Sequence, residues 1–471
     1  MITKELPPRA VQGAGPLAKV APLAVARDLL DTSPEPVMPN LSLRSNFAWI
    51  LSGNVVYAVC QWGAIVALAK LGSSFMIGQF SLGLAISTPV LMFTNLHLRA
   101  VQATDARRLF SFGEYLRLRT AMTLLGLAVI AGIAWFGNYE RRTAMVILSV
   151  ALAKGIETLS DIHYGLFQLN DRLDQSGRSM MLRGILSVVA LSTGLYVTRD
   201  VLWGCVGLTL VWLAALLLFD VQRGRRFVAP SQRLAQHIRP AHGFLRQWKL
   251  MRLALPLGIV TTMAAFNLNM PRYFIHARLG ERQLGVYSAI AYATVALILV
   301  SDSLGHCSVP RLSRLYTAGQ LPEFRLLLLK LLAAGGGLGL AGLAVAHTMG
   351  SRLLTLFYGG QYAAQSRIFL TLILATAIYC VACMLTSAIT AARCFRIQIP
   401  MYVLVVGSNA LACARWVPTE GLAGGARAMV VAAVVHFVLG AAVLGCLLWR
   451  SVKRSCALGP EPLADDWEAS L

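Results

Sequence analysis

Residues 46–87 read NFAWILSGNVVYAVCQWGAIVALAKLGSSFMIGQFSLGLAIS, and Lys70 is the one charged residue among them. A helix needs about 20 predominantly apolar residues to cross the hydrocarbon core of a bilayer. The stretch therefore predicts two membrane-spanning helices joined by a short polar turn. Apolar runs of the same kind recur along most of the chain, and they decide the fold class.

Composition supports the same class. Hydrophobic residues make up 57% of the 471 residues, charged residues make up 13%, and the mean hydropathy is +0.64. Soluble domains carry about 25% charged residues, so a soluble enzyme is excluded. The predicted fold is an all-α polytopic membrane protein with about 12 transmembrane helices in two six-helix bundles. The predicted spans lie near 46–68, 76–97, 119–137, 143–169, 180–198, 200–219, 253–275, 284–308, 326–347, 364–391, 397–414 and 426–449.

Basic residues lie between the spans, mostly on one side. With the N-terminus in the cytoplasm, 30 Lys and Arg residues fall on the cytoplasmic side and 11 on the other. The positive-inside rule thus predicts a protein of the cell membrane with both termini cytoplasmic. Because the net charge of +21 forms no single patch, nucleic acid is not a predicted partner. The predicted domains are a disordered proline-rich extension (1–44), a first bundle (45–219), a basic linker (220–252), a second bundle (253–450) and a cytoplasmic tail (451–471).

A short pattern occurs once in each bundle. Leu71-Gly72 precedes Gly78-Gln79-Phe80-Ser81, and Leu279-Gly280 precedes Gly285-Val286-Tyr287-Ser288, about 207 residues later. Glycines of this kind suit helix ends and close helix packing in lipid. Six spans in each half make the pseudo-repeat parallel. Transporters built from such repeats bind substrate between the halves.

Span 4 carries five polar residues at spacings of three and four: Lys154, Glu157, Asp161, Tyr164 and Gln168. On a helix they fall within an arc of roughly 80°. Ionisable residues in spans normally line a cavity or pair with one another. Two interpretations stay open: a stripe that lines the transport path, or an ion pair of Lys154 with Glu157 or Asp161 that holds helices together.

Other spans add candidates. Asn269 and Arg272 share a face of span 7, and Pro271 between them is expected to kink the helix; the alternative for Arg272 is an arginine that reaches the membrane surface. Asp302 in span 8, with only serines as polar neighbours along the chain, is a candidate for binding a coupling ion. Arg183 is either a phosphate ligand at the cytoplasmic mouth or a simple interfacial anchor.

Sequence signals of catalysis are missing. The nine cysteines are scattered and show no metal-ligand spacing. Neither a Walker A motif nor a GxSxG elbow is present, and the outward loops are too short to build an external active site. The sequence therefore predicts no enzyme, no cofactor and no metal site.

Four segments carry a resemblance to a known family: 46–87, ETLSDIHYGLFQ (157–168), NMPRYFIHARLGERQLGVYSAIAY (269–292) and LFYGGQYAAQSRIFL (356–370). The chain resembles Wzx-type polysaccharide flippases, a branch of the MOP exporter superfamily, over most of residues 44–450. The resemblance implies that lipid-linked oligosaccharide moves from the cytoplasmic to the outer leaflet. It implies a cationic cavity, for which Arg272, Arg183 and Lys154 are the candidates.

The resemblance also implies partners. A gradient of H+ or Na+ is expected to drive the cycle through Glu157, Asp161 or Asp302, and membrane lipid, a polysaccharide polymerase and assembly proteins are expected partners. Three alternatives stay open: a multidrug exporter of the same superfamily, a non-transporting scaffold of a polysaccharide assembly complex, and a membrane-embedded acyl- or glycosyltransferase. Span 4 holds one cation and two carboxylates, so the charge of the transport path is undecided at this point.

Overall fold

The computed structural model describes residues 41–105, 110–227, 243–392 and 394–458. Most of the predicted N-terminal extension, residues 228–242 of the predicted linker and residues 459–471 of the predicted tail lie outside this part. The first half contains α1 Leu43–Leu71, α2 Ser74–Asn95, α3 Leu98–Thr104, α4 Phe112–Phe136, α5 Arg141–Leu169, α6 Leu173–Thr198 and α7 Val201–Ala215. The second half contains α8 Gly243–Tyr292, α9 Val295–Thr317, α10 Leu321–Tyr358, α11 Gly360–Ala363, α12 Ser366–Ala391, α13 Phe395–Glu420 and α14 Leu422–Leu458.

Ten helices of the described chain are long and apolar enough to cross a membrane, or eleven if one bent helix pair counts as a span. That pair is Gly258–Tyr292 with Val295–Thr317, bent by 47°. The number of passes through the membrane between Gly243 and Thr317 depends on whether the chain turns back within α8.

The long α8 is broken at Gly280, whose φ of 79° lies in the left-handed region that glycine adopts without steric cost. Gly425 packs against Ile275 before the break and against Tyr287 after it. Residues five positions before and seven positions after Gly280 thus lie at the same level, so the chain reverses direction there. α8 therefore holds one pass and the start of a second, which α9 completes. With these two passes, every predicted span has a helix.

The two halves meet along α2 and α8, which we call the seam. Gly78 of α2 lies against the backbone of Glu281, and a Cβ atom on Gly78 would fall 1.9 Å from the Glu281 carbonyl oxygen. Gly285 lies in the same way against Ser74, where a Cβ atom would fall 1.7 Å from the carbonyl oxygen. At the repeat offset of 207, Gly285 corresponds to Gly78 and Glu281 corresponds to Ser74. The two glycine contacts are therefore reciprocal. Each glycine packs against the residue of the other half that corresponds to the residue four positions before it in its own half.

A second contact between the halves lies near the same end of the seam. Trp62 of α1 donates a hydrogen bond from Nε1 to the Tyr358 hydroxyl of α10 (2.8 Å). Its ring packs edge-on against Phe357, with centroids 4.4 Å apart. We call the membrane side that holds these contacts and the Gly280 turn the distal side, and the side of residues 228–242 the linker side. On the distal side, then, the two halves are in contact.

At the linker side, α2 ends in an unusual way. Leu96 and His97 both have positive φ, 50° and 52°, which turns the chain into the short α3. Leu96 then packs against Gly258 of α8. The next helix, α4, begins with a capping box in which Ser111 and Glu114 satisfy each other's backbone amides.

Candidate functional site

The polar stripe of α5 begins with an ion pair. Lys154 Nζ lies 2.6 Å from Glu157 Oε2, and Tyr57 of α1 donates its hydroxyl proton to Glu157 Oε1 (2.5 Å). The ammonium group also lies over the ring of Trp212, 5.6 Å from its centre. About a quarter of each charged side chain is exposed, 25% for Lys154 and 27% for Glu157. The pair therefore joins α1, α5 and α7 and stays partly accessible.

About one turn beyond Glu157 on α5, Asp161 lies between two arginines. Its carboxylate oxygens are 3.2 Å from Arg99 of α3 and 3.3 Å from Arg119 of α4. Arg119 is fully buried and also donates to the carbonyl oxygen of Asn95 (3.0 Å), one of the free carbonyls at the end of α2. This group fixes the turn between α2 and α3 and carries one net positive charge.

Arg183 lies inside the first half and not at its mouth. It forms an ion pair with Asp220 (3.0 Å), in which both side chains are at most 1% exposed. A second hydrogen bond goes to Ser160, and the guanidinium group lies over the ring of Trp212. Asp220 ends a π-helical turn, Leu216–Asp220, that extends α7. In this structure Arg183 is compensated and closed to a ligand.

The last two stripe residues differ in their environment. Tyr164 is buried, and its hydroxyl shares a hydrogen bond with Ser179 (2.8 Å). Gln168 is exposed at the linker-side end of α5. The structure thus brings Lys154, Glu157, Tyr164 and Arg183 together and leaves Gln168 apart.

Arg272 has a different kind of environment in the second half. Its Nη1 donates to Asn269 Oδ1 (2.6 Å), while Asn269 donates to the Ala265 carbonyl oxygen (2.9 Å). The guanidinium group lies 5.7 Å from the centre of the Tyr292 ring. Its Nε atom is buried and has no hydrogen-bond partner in the described part of the chain, where no carboxylate forms an ion pair with Arg272 either. Arg272 is thus half-buried, and no carboxylate of the described residues compensates its charge.

Asp302 of α9 lies within the second half. Tyr379 and Cys383 of α12 both direct donors to its Oδ1 atom, at 3.2 Å and 3.3 Å. The ring of His436 lies beside Tyr379, with centroids 6.1 Å apart. The polar neighbours of Asp302 are thus not only the serines expected from the sequence, because α12 supplies a hydroxyl and a thiol.

Both the sequence and the fold of this chain can be compared with those of known proteins. No family model matches the chain. The capsular polysaccharide biosynthesis protein CapF of Staphylococcus aureus is 24% identical over 328 residues, which cover 69% of this chain and 80% of that protein. A multidrug resistance MATE transporter of the MOP superfamily, in its inward-facing conformation, superposes with a TM-score of 0.68 at 12% identity, over 86% of this chain and 99% of that one. The chain has the fold of the MOP superfamily.

Two further structures have the MOP fold in common with this chain. The lipid II flippase MurJ, in an inward closed conformation, gives a TM-score of 0.62 at 10% identity, over 87% of this chain and 90% of that one. A MOP transporter from Pyrococcus furiosus, described by a binding pocket of reverse polarity, gives 0.58 at 14% identity, over 85% and 94%. The fold implied by the resemblance stated from the sequence is confirmed. The chain is a multi-pass membrane protein with this fold.

Within this MOP fold, sequence reasoning missed the partners of the charges that it found. Tyr57, Arg99, Arg119 and Asp220 contact the predicted candidates but were assigned to apolar spans, a basic loop or the linker. One signal was available. An arginine predicted inside a span requires a nearby carboxylate, and Asp220 stands at the end of the next span.

Proposed function

We propose that this protein moves a lipid-linked oligosaccharide, a polysaccharide precursor, from the cytoplasmic to the outer leaflet by alternating access. The observation that carries the proposal is Arg272, a cation without a carboxylate partner in the described chain, beside an amide and an aromatic ring. A guanidinium group binds phosphate oxygens in a bidentate manner. The diphosphate of a lipid carrier is a group that such a site accepts.

The balance of charge in the first half favours an anionic substrate too. The ion-paired groups described above contain four cations and three carboxylates: Lys154, Arg99, Arg119 and Arg183 against Glu157, Asp161 and Asp220. An exporter of organic cations needs the opposite excess near its substrate. The relative from capsular polysaccharide biosynthesis and the lipid II flippase with the same fold support a lipid-linked sugar over a drug.

Orientation completes the proposal. The excess of Lys and Arg on the linker side supports a cytoplasmic location for that side, and the distal contacts would then close the protein toward the outside. In this arrangement Arg272 receives the diphosphate from the cytoplasmic leaflet, while the polyprenyl chain stays in lipid. For the coupling ion, Glu157, Asp161 and Asp302 stay the candidates: the first two pair with cations, and Asp302 accepts from Tyr379 and Cys383.

The test uses a deletion strain that carries a plasmid copy of the gene. Surface polysaccharide and lipid-linked precursor on the cytoplasmic side are measured for wild type, Arg272→Ala and the control Arg278→Ala. Arg278 lies on the same helix and is exposed. We expect Arg272→Ala to abolish polymer and accumulate precursor, and Arg278→Ala to behave as wild type.

Other outcomes contradict the proposal. Full export by Arg272→Ala removes this residue from the site. Normal polymer in the deletion strain, with increased drug sensitivity, identifies a multidrug exporter. Lost polymer without accumulated precursor identifies a scaffold or an earlier biosynthetic step.

A further inference from the structure

A carboxyl group lies in the distal contact between the halves. Glu281 follows the Gly280 turn, and its side chain is 11% exposed. Thr143 of α5 donates to Glu281 Oε1 (2.6 Å), and Gln79 of α2 donates to the hydroxyl oxygen of Thr143 (2.9 Å). A carboxyl group of the second half is thus held by Thr143 of the first half, whose hydroxyl Gln79 supports.

The second oxygen of this carboxyl group is not satisfied. Glu281 Oε2 is buried without a hydrogen-bond partner among the described residues. A buried ionised carboxylate with an unpaired oxygen costs free energy, and protonation removes that cost. When the halves separate, water reaches both oxygens and the cost disappears. The closed and open forms therefore differ in their affinity for a proton.

The groups around Glu281 decide which side chain responds. His276 Nε2 lies 4.0 Å from Oε1, and the His276 ring lies against Tyr139, with centroids 5.6 Å apart. Glu140, exposed at the start of α5, lies within electrostatic range. Arg278 and Arg282 are exposed on either side of the turn, and α2 contributes the neutral Gly78 and Gln79. A carboxylate bridges the halves only at Glu281 among these groups.

We propose that Glu281 is a proton-binding site of the distal contact, protonated when the contact is closed and ionised when it is open. The inference rests on the proposed orientation and alternating-access cycle. A proton from the outside binds the closed form more tightly and shifts the equilibrium toward it. External acid thereby drives the step that returns the empty protein to its inward-open form.

This role differs from that of the predicted coupling carboxylates. Glu157 and Asp161 pair with cations inside the first half, and Asp302 lies inside the second. Opening of the distal side leaves those contacts intact, whereas it breaks the contact between Thr143 and Glu281. The first half has Ser74 at the position of Glu281 in the repeat, so the seam has this carboxyl group on one side alone.

The test needs no substrate. Hydrogen exchange of the purified full-length protein is measured by mass spectrometry at roughly pH 5 and pH 9, which bracket the raised range documented for buried glutamates. Rates are corrected for the intrinsic pH dependence of exchange. We expect residues 74–82 and 140–147 of wild type to be protected about tenfold more at the lower pH, the change that one unit of proton affinity supports. Glu281→Gln should be equally protected at both pH values.

Control variants separate Glu281 from its neighbours. Glu140→Gln changes an exposed carboxyl on the facing helix and should keep the wild-type response. Loss of the response in His276→Gln but not in Glu281→Gln assigns it to the histidine and overturns the proposal. An unchanged response in Glu281→Gln overturns it as well.

Thr143→Val provides a test if Glu281→Gln does not fold. This variant keeps the carboxyl group but removes the donor that stabilises its ionised form, so the midpoint of the response should move to higher pH. An unmoved midpoint contradicts the proposal. Because the measurement contains no lipid-linked sugar, its failure and the failure of the export test are distinguishable.

Discussion

The buried charges of the two halves have different kinds of partner. In the first half, each charge discussed above has an opposite partner, as in Lys154 with Glu157 and Arg183 with Asp220. In the second half, Arg272 contacts an amide and an aromatic ring, and no carboxylate of the described chain pairs with it. Paired charges hold helices together, and a charge with neutral neighbours keeps its capacity for a ligand. The comparison supports a structural role for the paired charges of the first half and the proposed substrate contact at Arg272 in the second.

The largest effect on stability is expected at the buried pair of the first half. Arg183→Ala leaves the Asp220 carboxylate buried without its cation, which should lower the free energy of unfolding by about 3–5 kcal/mol. The check is thermal unfolding of the purified protein in detergent. The double variant Arg183→Met/Asp220→Leu should be more stable than Arg183→Ala. If it is less stable, the pair is not the source of the loss.

Substitution of the seam glycines should have the next largest effect. Gly78→Ala and Gly285→Ala each place a methyl group within 2 Å of a carbonyl oxygen, so the helices must move apart at a cost of about 1–3 kcal/mol. The contacts are reciprocal, so the two variants should shift the unfolding temperature by similar amounts. Gly336→Ala, in open space, is the control. A large difference between the two seam variants would contradict the reciprocal contact.

A smaller effect is expected at Tyr57. Tyr57→Phe removes one hydrogen bond to Glu157 and should cost about 1 kcal/mol, because the carboxylate is partly exposed and keeps Lys154. Thermal unfolding again measures the change. Export should remain near wild type, since the altered contact belongs to the structural half. Lost export with normal stability would place a ligand contact in the first half and contradict its structural role.

The smallest effect on stability is expected where the effect on export is largest. Arg272→Gln removes a charge that no carboxylate compensates in the described chain and keeps an amide donor for Asn269. We expect a change of less than about 0.5 kcal/mol in unfolding free energy, together with lost export. Strong destabilisation would show that Arg272 serves packing, as Arg183 does.

The sequence predicted the helices well and the partners of the charges poorly. The free energy of transfer into lipid dominates the placement of a span, and apolar runs indicate where it is favourable. Each of the twelve predicted runs has a helix. The stripe on α5 followed from helical periodicity alone. Its partners come from other helices. Asp220 is buried at the end of a π-helical turn, and hydropathy does not predict that turn.

The seam shows the same limit. The repeated glycines were visible as a motif, and their spacing even gave the correct offset. The residue that they bring to the contact, Glu281, looked like part of a polar loop. The contact of Glu281 with the first half depends on Thr143, which is distant in the chain and adjacent in space.

The ion pairs of the first half also have a consequence for biosynthesis. Arg119 precedes its partner Asp161 by 42 residues, and Arg183 precedes Asp220 by 37. At about 5–20 residues per second, the ribosome leaves each arginine without its carboxylate for several seconds. Inserting a lone arginine at the centre of a helix costs about 2.5–3.5 kcal/mol in the translocon. We therefore expect α4 with α5, and α6 with α7, to leave the translocon as helical hairpins and not one helix at a time.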